Sequence, residues 1–401
     1  MKSNISKYFV LVIFLIFSTG SGIYVFSDTS DSSSLSTQIA LSIIYGLCIY
    51  LLLINGKLRL HFDWLKKDWM VILLLYCIVS VFWTADVAIV ARKLIGLIGV
   101  YFVALFIVSY FEKSELIWVI FVFFSVCMIS SVVISLFFPE IGTSDYYFGA
   151  WNGIYTHKNR LGRYVGLFLI FALHLFWNKR LGRHGLIKAG LSTLLGLFIM
   201  LKTDSSTSLF TVLLSIAFIY GIGKISSFGT KRVLIFFFAF LLIFPVILGI
   251  ALNLEEVLLT VGKDITFTGR TYIWATVLIL SYEHVLFGYG YQGFWRGELE
   301  EPSSLVVQLL GWYPSHSHNG FIDVYLTLGL AGLIVLLISF ITFFRSEWRN
   351  HGRRISVSSS AIIIIYALIY NLTESTFIAP NGFMWFLVLA ITFYQKTEFE
   401  K

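Results

Sequence analysis

Long apolar runs separated by short polar clusters extend along the whole of this chain. About 17–25 apolar residues cross a bilayer as a helix. Twelve segments read as such spans: 8–27, 37–55, 69–84, 93–111, 115–138, 161–177, 185–202, 207–223, 233–252, 319–343, 357–371 and 380–395. A shorter run, Tyr272–Leu280, reads as a re-entrant or interface-lying helix inside the longest connection, residues 253–318. The pattern predicts an all-α integral membrane protein, one polytopic domain over residues 1–401.

Composition removes the soluble alternatives. Hydrophobic residues make up 58% of the 401 and charged residues 13%, far from the balance of a water-facing globular domain. Lys2 and Lys7 ahead of the first run give it the look of a signal peptide. An uncleaved span fits better, because the loop charges then keep a consistent sign. With the N-terminus cytoplasmic, 20 of the 29 Lys and Arg residues fall on the cytoplasmic side and 9 on the other. By the positive-inside rule both termini are cytoplasmic, and the 253–318 connection is a long outer loop carrying the interfacial helix. The net charge of +7 is this orienting bias, and it points to a lipid bilayer rather than a nucleic acid. Cys48, Cys77 and Cys127 all fall inside spans, without disulfide or zinc spacing.

The nine remaining cations are Arg92, Lys93, Lys158, Arg160, Arg163, Lys202, Lys263, Arg270 and Arg296. Charges held against the topogenic bias at membrane interfaces are functional candidates. Three segments concentrate them with other polar groups. "FGAWNGIYTHKNRLGRYVGLF" brings His157, Lys158, Asn159, Arg160 and Arg163 to the start of the sixth span, with the two arginines on one helical face. Snorkelling accounts for a single arginine there but poorly for the whole cluster. "FTGRTYIW" puts Arg270 at the N-terminal edge of the short helix, where an arginine opposes the helix dipole unless an anion is bound. "YPSHSHNG" puts His316, His318 and Asn319 at the threshold of the tenth span, and imidazole is the usual general base near neutral pH.

Weaker signals surround these. Gly288, Gly290 and Gly293 form a glycine-rich stretch that suits a flexible lid or a plain turn. The hydroxyls of "KTDSSTS" suit sugar binding or a solvated turn, and Trp151, Tyr155, Trp295, Trp312 and Tyr313 suit sugar stacking or an aromatic belt. Glu374 lies in the last outer connection. Neither a phosphate-binding GxxxxGK[ST] loop nor an HExxH helix occurs. The acids Glu298, Glu300 and Glu301 lack histidines at ligand spacing, so no metal and no cofactor is expected. Negative charge developing here would have to be met by Arg, Lys and His.

His318-Asn319 is followed by nine residues, Gly320 to Leu328, then Gly329, two residues and Gly332. This spacing resembles the histidine motif of the O-antigen ligase superfamily of bacterial envelope glycosyltransferases. Arg163 to Leu167 is similar to the family's Arg-x-x-x-Leu pattern, and "HKN" (157–159) and "GRTYIW" also look familial. "FWTADVAIVARKL", with Arg92, looks most like the exopolysaccharide-polymerase branch. The resemblance covers roughly Trp83 to Glu374.

It implies an inverting, metal-independent glycosyltransferase of the bacterial inner membrane, working on glycans carried by undecaprenyl diphosphate at the periplasmic face. Carried over by motif, His318 would be the base toward the acceptor hydroxyl, and Arg163 and Arg270 would hold the diphosphate. Arg92, Arg160, His157, Lys158, Asn159, Asn319 and His316 are the substrate-binding candidates, with Asn319 orienting His318. Arg160 and Arg163 both suit the phosphate position. The acceptor would be lipid A–core in a ligase, a growing polysaccharide in a polymerase, or a protein hydroxyl in an oligosaccharyltransferase, which the modest loops suit less. A flippase for lipid-linked sugars is the alternative from another class. Transporters carry polar sites near the membrane midplane between repeated halves, whereas the polar residues here gather at one surface and no repeat is visible.

Overall fold

The computed structural model describes residues 2–21, 35–177, 183–225, 268–351 and 358–397. Among them, fourteen helices have eight or more residues. The first half of the chain forms α1 (Lys2–Thr19), α2 (Leu35–Ile54), α3 (Lys57–Leu65), α4 (Trp69–Val79), α5 (Val87–Tyr110), α6 (Lys113–Phe137), α7 (Lys158–Trp177) and α8 (Arg183–Lys202). The second half forms α9 (Ser206–Ile225), α10 (Thr268–Leu280), α11 (Ser303–Leu310), α12 (Gly320–His351), α13 (Ser359–Tyr370) and α14 (Phe383–Thr397). The only β-structure among the described residues is a two-residue antiparallel pair, Thr143–Ser144 with Ala150–Trp151.

A helix stands at each expected span that falls within the described residues; the expected span 233–252 and loop residues 253–267, with Lys263, lie outside them. Five helices are long and apolar enough to cross a membrane: Ser36–Ile54, Val87–Tyr110, Lys113–Phe137, His184–Lys202 and Gly320–His351. Four more are apolar but shorter. The peripheral helices carry outward apolar stripes at helical spacing. Ile39, Ile43, Leu47, Tyr50 and Ile54 are exposed on α2, and Trp118, Val122, Val126, Ile129 and Val133 on α6. A large apolar side chain left in water forgoes roughly 1.5–3 kcal/mol, so these stripes suit lipid. The chain is a multi-pass membrane protein.

The centre is the reverse case. From Ser360 to Tyr370 on α13 and from Phe383 to Gln395 on α14, every residue is buried. A helix apolar all round belongs inside. These two helices form the post against which α5, α7, α9 and α12 pack, and the turn between them, residues 371–382, emerges in the middle of the polar end of the bundle.

Two segments take forms that the apolar pattern alone does not show. The tenth span is not one straight helix: Gly329 takes φ 66° and ψ −167° inside α12 and breaks it. The turn at 285–289 fills the break, with the Leu330 and Ala331 N–H groups donating to the Val285 and Leu286 carbonyls and Tyr289 N–H to Leu326. A Cβ at Gly329 would strike the Leu286 carbonyl. The glycine-rich stretch is accordingly a packed turn, not a lid, since Gly288 and Gly290 have positive φ and lie against the backbone of Thr327–Gly329 and of Ser80. The described part of the long connection is likewise a folded cap. Ile273 and Val277 of α10, Phe294, Val306 of α11 and Leu326 of α12 form a second small core.

Candidate active site

Local chemistry at the end of α13 builds the first half of the site. Asn371 is fully buried, and its Oδ1 accepts from the Thr376 and Phe377 N–H groups at 2.8 and 3.2 Å. Its Nδ2 donates to the Ala367 carbonyl and to Thr376 Oγ1. One side chain therefore shapes a turn that holds Glu374 inward. The threshold of α12 docks on that turn, with Gly320 N–H donating to the Asn371 carbonyl at 2.8 Å and the Glu374 carbonyl at 3.0 Å. Only glycine permits this approach, because a Cβ would collide with Asn371 Oδ1.

Asn319 caps α12, accepting from the Phe321 and Ile322 N–H groups at 3.0 and 3.2 Å, and its Nδ2 reaches the Leu372 carbonyl at 3.3 Å. It steers His318 through the backbone rather than by bonding its ring, which departs from the orienting contact the sequence suggests. His318 itself takes the left-handed conformation, φ 54°, one that histidine adopts more readily than most side chains.

Docking brings three groups onto one carboxylate. His318 Nδ1 lies 3.4 Å and His316 Nε2 3.6 Å from Glu374 Oε2, with the two rings 4.0 Å apart. Arg270 Nη2 takes the other oxygen, Oε1, at 3.0 Å. Arg270 arrives because α10 is pinned one turn later, where Trp274 Nε1 donates to the Ser317 carbonyl at 2.8 Å. Residues four apart share a helix face, so this bond aims the guanidinium. Ser317 N–H is held in turn by Asp323, which also accepts from Trp295 Nε1.

The electrostatics follow from this crowding. Burial acts to raise the Glu374 carboxyl, yet the close imidazoles of His316 and His318 and the charge of Arg270 hold it well below the usual carboxylate range. Burial lowers the His318 imidazole, with Glu374 pulling it up and His316 and Arg270 pushing it further down. The neutral imidazole is therefore favoured at pH 7. His316, His318 and Glu374 place three ligand-type atoms within 4.8 Å of one another, a set able to hold a metal ion. Arg270, on the same carboxylate, already supplies the positive charge a cation would bring.

The second half is a cleft of about 480 Å³ beside this cluster. Arg92 and Lys93 at the start of α5 and Arg160 and Arg163 at the start of α7 line it, with Tyr164, and no carboxylate lines it among the described residues. Arg163 joins the two halves: its Nε donates to Tyr370 Oη at 2.9 Å, and Tyr370 stands four residues before Glu374. Arg160 and Arg163 thus share one cleft.

Other expected residues are occupied locally. His157 Nδ1 accepts from Asn159 N–H, and its Nε2 meets Tyr147 Oη at 3.2 Å; burial lowers its pKa. Lys158 donates to the Asp204 carbonyl, and Asn159 Oδ1 accepts from Ser205 Oγ. His157 thus caps the start of α7, while Lys158 and Asn159 tie it to the 203–208 turn. That turn's Thr203, Ser205, Thr207 and Ser208 are buried, so packing against Gly162 explains the hydroxyls and a sugar does not. Trp151 and Tyr155 are buried as well, out of reach for stacking. Glu374, only a weak signal in the sequence, stands at the centre of the ionic cluster. Its only local signal was a lone acid in a connection otherwise free of charge.

Fold and site together define a multi-pass membrane protein with an ionic site at one end of its helices. The model of the O-antigen ligase family matches residues 191–337, which include Arg270, His318 and Gly329. The chain is also similar to the exopolysaccharide production protein ExoQ of Rhizobium meliloti (strain 1021), 26% identical over 347 residues, covering 84% of this chain and 77% of that protein. The chain is thus similar both to the O-antigen ligase family and to a protein named for exopolysaccharide production.

Proposed function

We propose that this protein is an inverting, metal-independent glycosyltransferase that moves a glycan from undecaprenyl diphosphate to a saccharide acceptor. The observation that carries this reading is the pairing of four cations in a cleft without a carboxylate with an adjacent histidine backed by a buried glutamate. Arginine forks suit a diphosphate, and fixed cations at a departing anion stabilise the charge that develops in the transition state.

In this mechanism the acceptor hydroxyl gives its proton to His318 Nε2. Its oxygen attacks the anomeric carbon, the bond from that carbon to the diphosphate oxygen breaks, and the electron pair leaves on the diphosphate between Arg160 and Arg163. Attack opposite the leaving group inverts the anomeric configuration. Glu374 faces Nδ1 and fixes the ring, the logic of a base oriented by a third group. Arg270 keeps Glu374 ionised rather than gripping phosphate alone.

The reading includes about twelve spans, cytoplasmic termini and a periplasmic site. The likeness to a protein named for exopolysaccharide production supports a polymerase, whose acceptor is another lipid-linked repeat, over a ligase. The test is transfer by purified protein from lipid-linked glycan to either acceptor, with His318→Ala alongside. Donor binding without turnover in that variant is expected; loss of binding as well would make the histidine structural. Cysteines placed at the exposed Asp145 and Glu298 should react with an impermeant thiol reagent from outside and one at Arg349 should not. The opposite pattern would put the site in the wrong compartment.

A further inference from the structure

The cations do not account for the whole lining of the cleft. The cleft is also lined by neutral groups from the end of α1, the start of α2 and the 380–382 turn: Ser18, Thr19, Gln38, Ser42 and Asn381. One of these is built with unusual care. Asn381 takes the left-handed conformation, φ 59°. Its Oδ1 accepts from Tyr45 Oη at 2.7 Å. Two glycines of α5 make this possible: a Cβ at Gly96 would collide with the Asn381 amide, and one at Gly99 would collide with the Tyr45 ring. The Tyr45 ring is itself buried.

With its oxygen fixed, the side chain can only offer its amide N–H₂. Nδ2 donates to no protein atom among the described residues. Asn381 is thus a positioned, unused donor lining a cleft that also holds four cations. A phosphate has four cations to bind and gains little from one neutral amide, whereas a sugar hydroxyl or acylamino carbonyl needs such a donor. A volume of about 480 Å³ lies within the usual 300–1,000 Å³ range for ligand sites and leaves room beyond a diphosphate.

We propose that Asn381, held by Tyr45, recognises the phosphate-linked sugar of the lipid donor, an inference that rests on the donor reading above. Asn381 makes the contact, and Tyr45, Gly96 and Gly99 are positioning residues.

The experiment compares binding by full-length purified protein of two probes. One is undecaprenyl diphosphate without sugar; the other is the same lipid bearing the surface-glycan repeat extracted from the source cells. Asn381→Gly is the informative variant, because glycine accepts the left-handed backbone without strain and removes only the amide. Binding of the sugar-bearing lipid should weaken roughly tenfold, the scale of one well-made hydrogen bond, with the sugar-free lipid unchanged. Tyr45→Phe should show the same selective loss, to a smaller degree, at an unaltered melting temperature. Equal weakening of both probes, or of neither, overturns the proposal. The donor reading fails separately, if Arg160→Ala with Arg163→Ala leaves binding of the sugar-free lipid intact.

Discussion

Two charged compartments lie side by side in this protein, and they treat charge in opposite ways. Around Glu374 every charge is answered from within: Arg270 on one carboxylate oxygen, two imidazoles on the other, all drawn from different elements. Along the neighbouring cleft, Arg92, Lys93, Arg160 and Arg163 face one another with only neutral partners, such as Tyr370 for Arg163 and Gln292 for Lys93. The closed compartment can hold a ring in place but has no spare charge for a ligand. The open one gathers positive charge that its own partners leave unbalanced, the character of the anion site proposed above. Like charges brought together in a partly desolvated space oppose folding, and a bound diphosphate would relieve them.

Substitutions at the two compartments should therefore have opposite signatures. The largest effect is expected on turnover from His318→Ala, a loss of roughly 10²–10⁴-fold, the usual contribution of a general base, with donor affinity preserved. Arg163→Ala should cost about 10²-fold in transfer, on the scale of one lost transition-state donor, through both donor binding and turnover. Arg163→Lys should recover part of that only, because a point charge lacks the fork. Because no carboxylate is orphaned and only the Tyr370 hydroxyl loses a partner, the Arg163 variants should lose less melting temperature than Glu374→Gln. Equal destabilisation at both compartments would erase the distinction.

Glu374→Gln is the converse. It leaves Arg270, only 8% exposed, without its counter-charge, and breaking a buried pair from one side costs about 3–5 kcal/mol. The expected result is a clear fall in melting temperature in detergent with turnover reduced as a consequence. The double variant Arg270→Met with Glu374→Gln should regain stability but not activity.

The acid limb of the pH profile sharpens the same contrast. His318 must be neutral to accept a proton, and burial lowers its pKa from 6.5. Wild-type turnover should thus persist as pH falls through 6.5 and drop only below it. Glu374 pulls the His318 pKa upward, so Glu374→Gln should move that limb to still lower pH. A limb above 6.5 would contradict the burial of the ring. The smallest expected effect is that of salt. Donor binding in the open cleft should weaken several-fold from 0.05 to 0.5 M salt, because screening falls mainly on accessible charges. The melting temperature set by the Arg270–Glu374 pair should barely move.

The positions of the helices were legible in the sequence because an apolar run is a local property, and lipid and core reward it alike. The charged candidates could be named for a related reason: Arg160, Arg163 and Arg270 stand where the expected topology makes cations scarce, and His316 and His318 stand out at the threshold of an apolar run. The spacing from His318 to Gly329 also carried real structure. Its histidine stands at the threshold of α12, and its glycine takes the positive φ that breaks the helix. Hydropathy could not show the break itself, since Leu328 and Leu330 are as apolar as any helix interior.

What the tertiary structure alone decided is which polar groups meet. Asn371 and Asn381 looked like ordinary members of one short connection, and Glu374 like a lone acid within it. They acquire roles because the central post of α13 and α14 delivers that connection into the middle of the site, where α7, α10 and the threshold of α12 converge on it. The same convergence separated the expected ligands into those whose polar atoms face the cleft and those, such as His157, Lys158 and Asn159, that hold the start of a helix. Composition and periodicity fix what each segment prefers to be, since those preferences arise between near neighbours. Which distant side chains come within hydrogen-bonding reach depends on how the helices pack, and that is settled by the shape of the whole bundle.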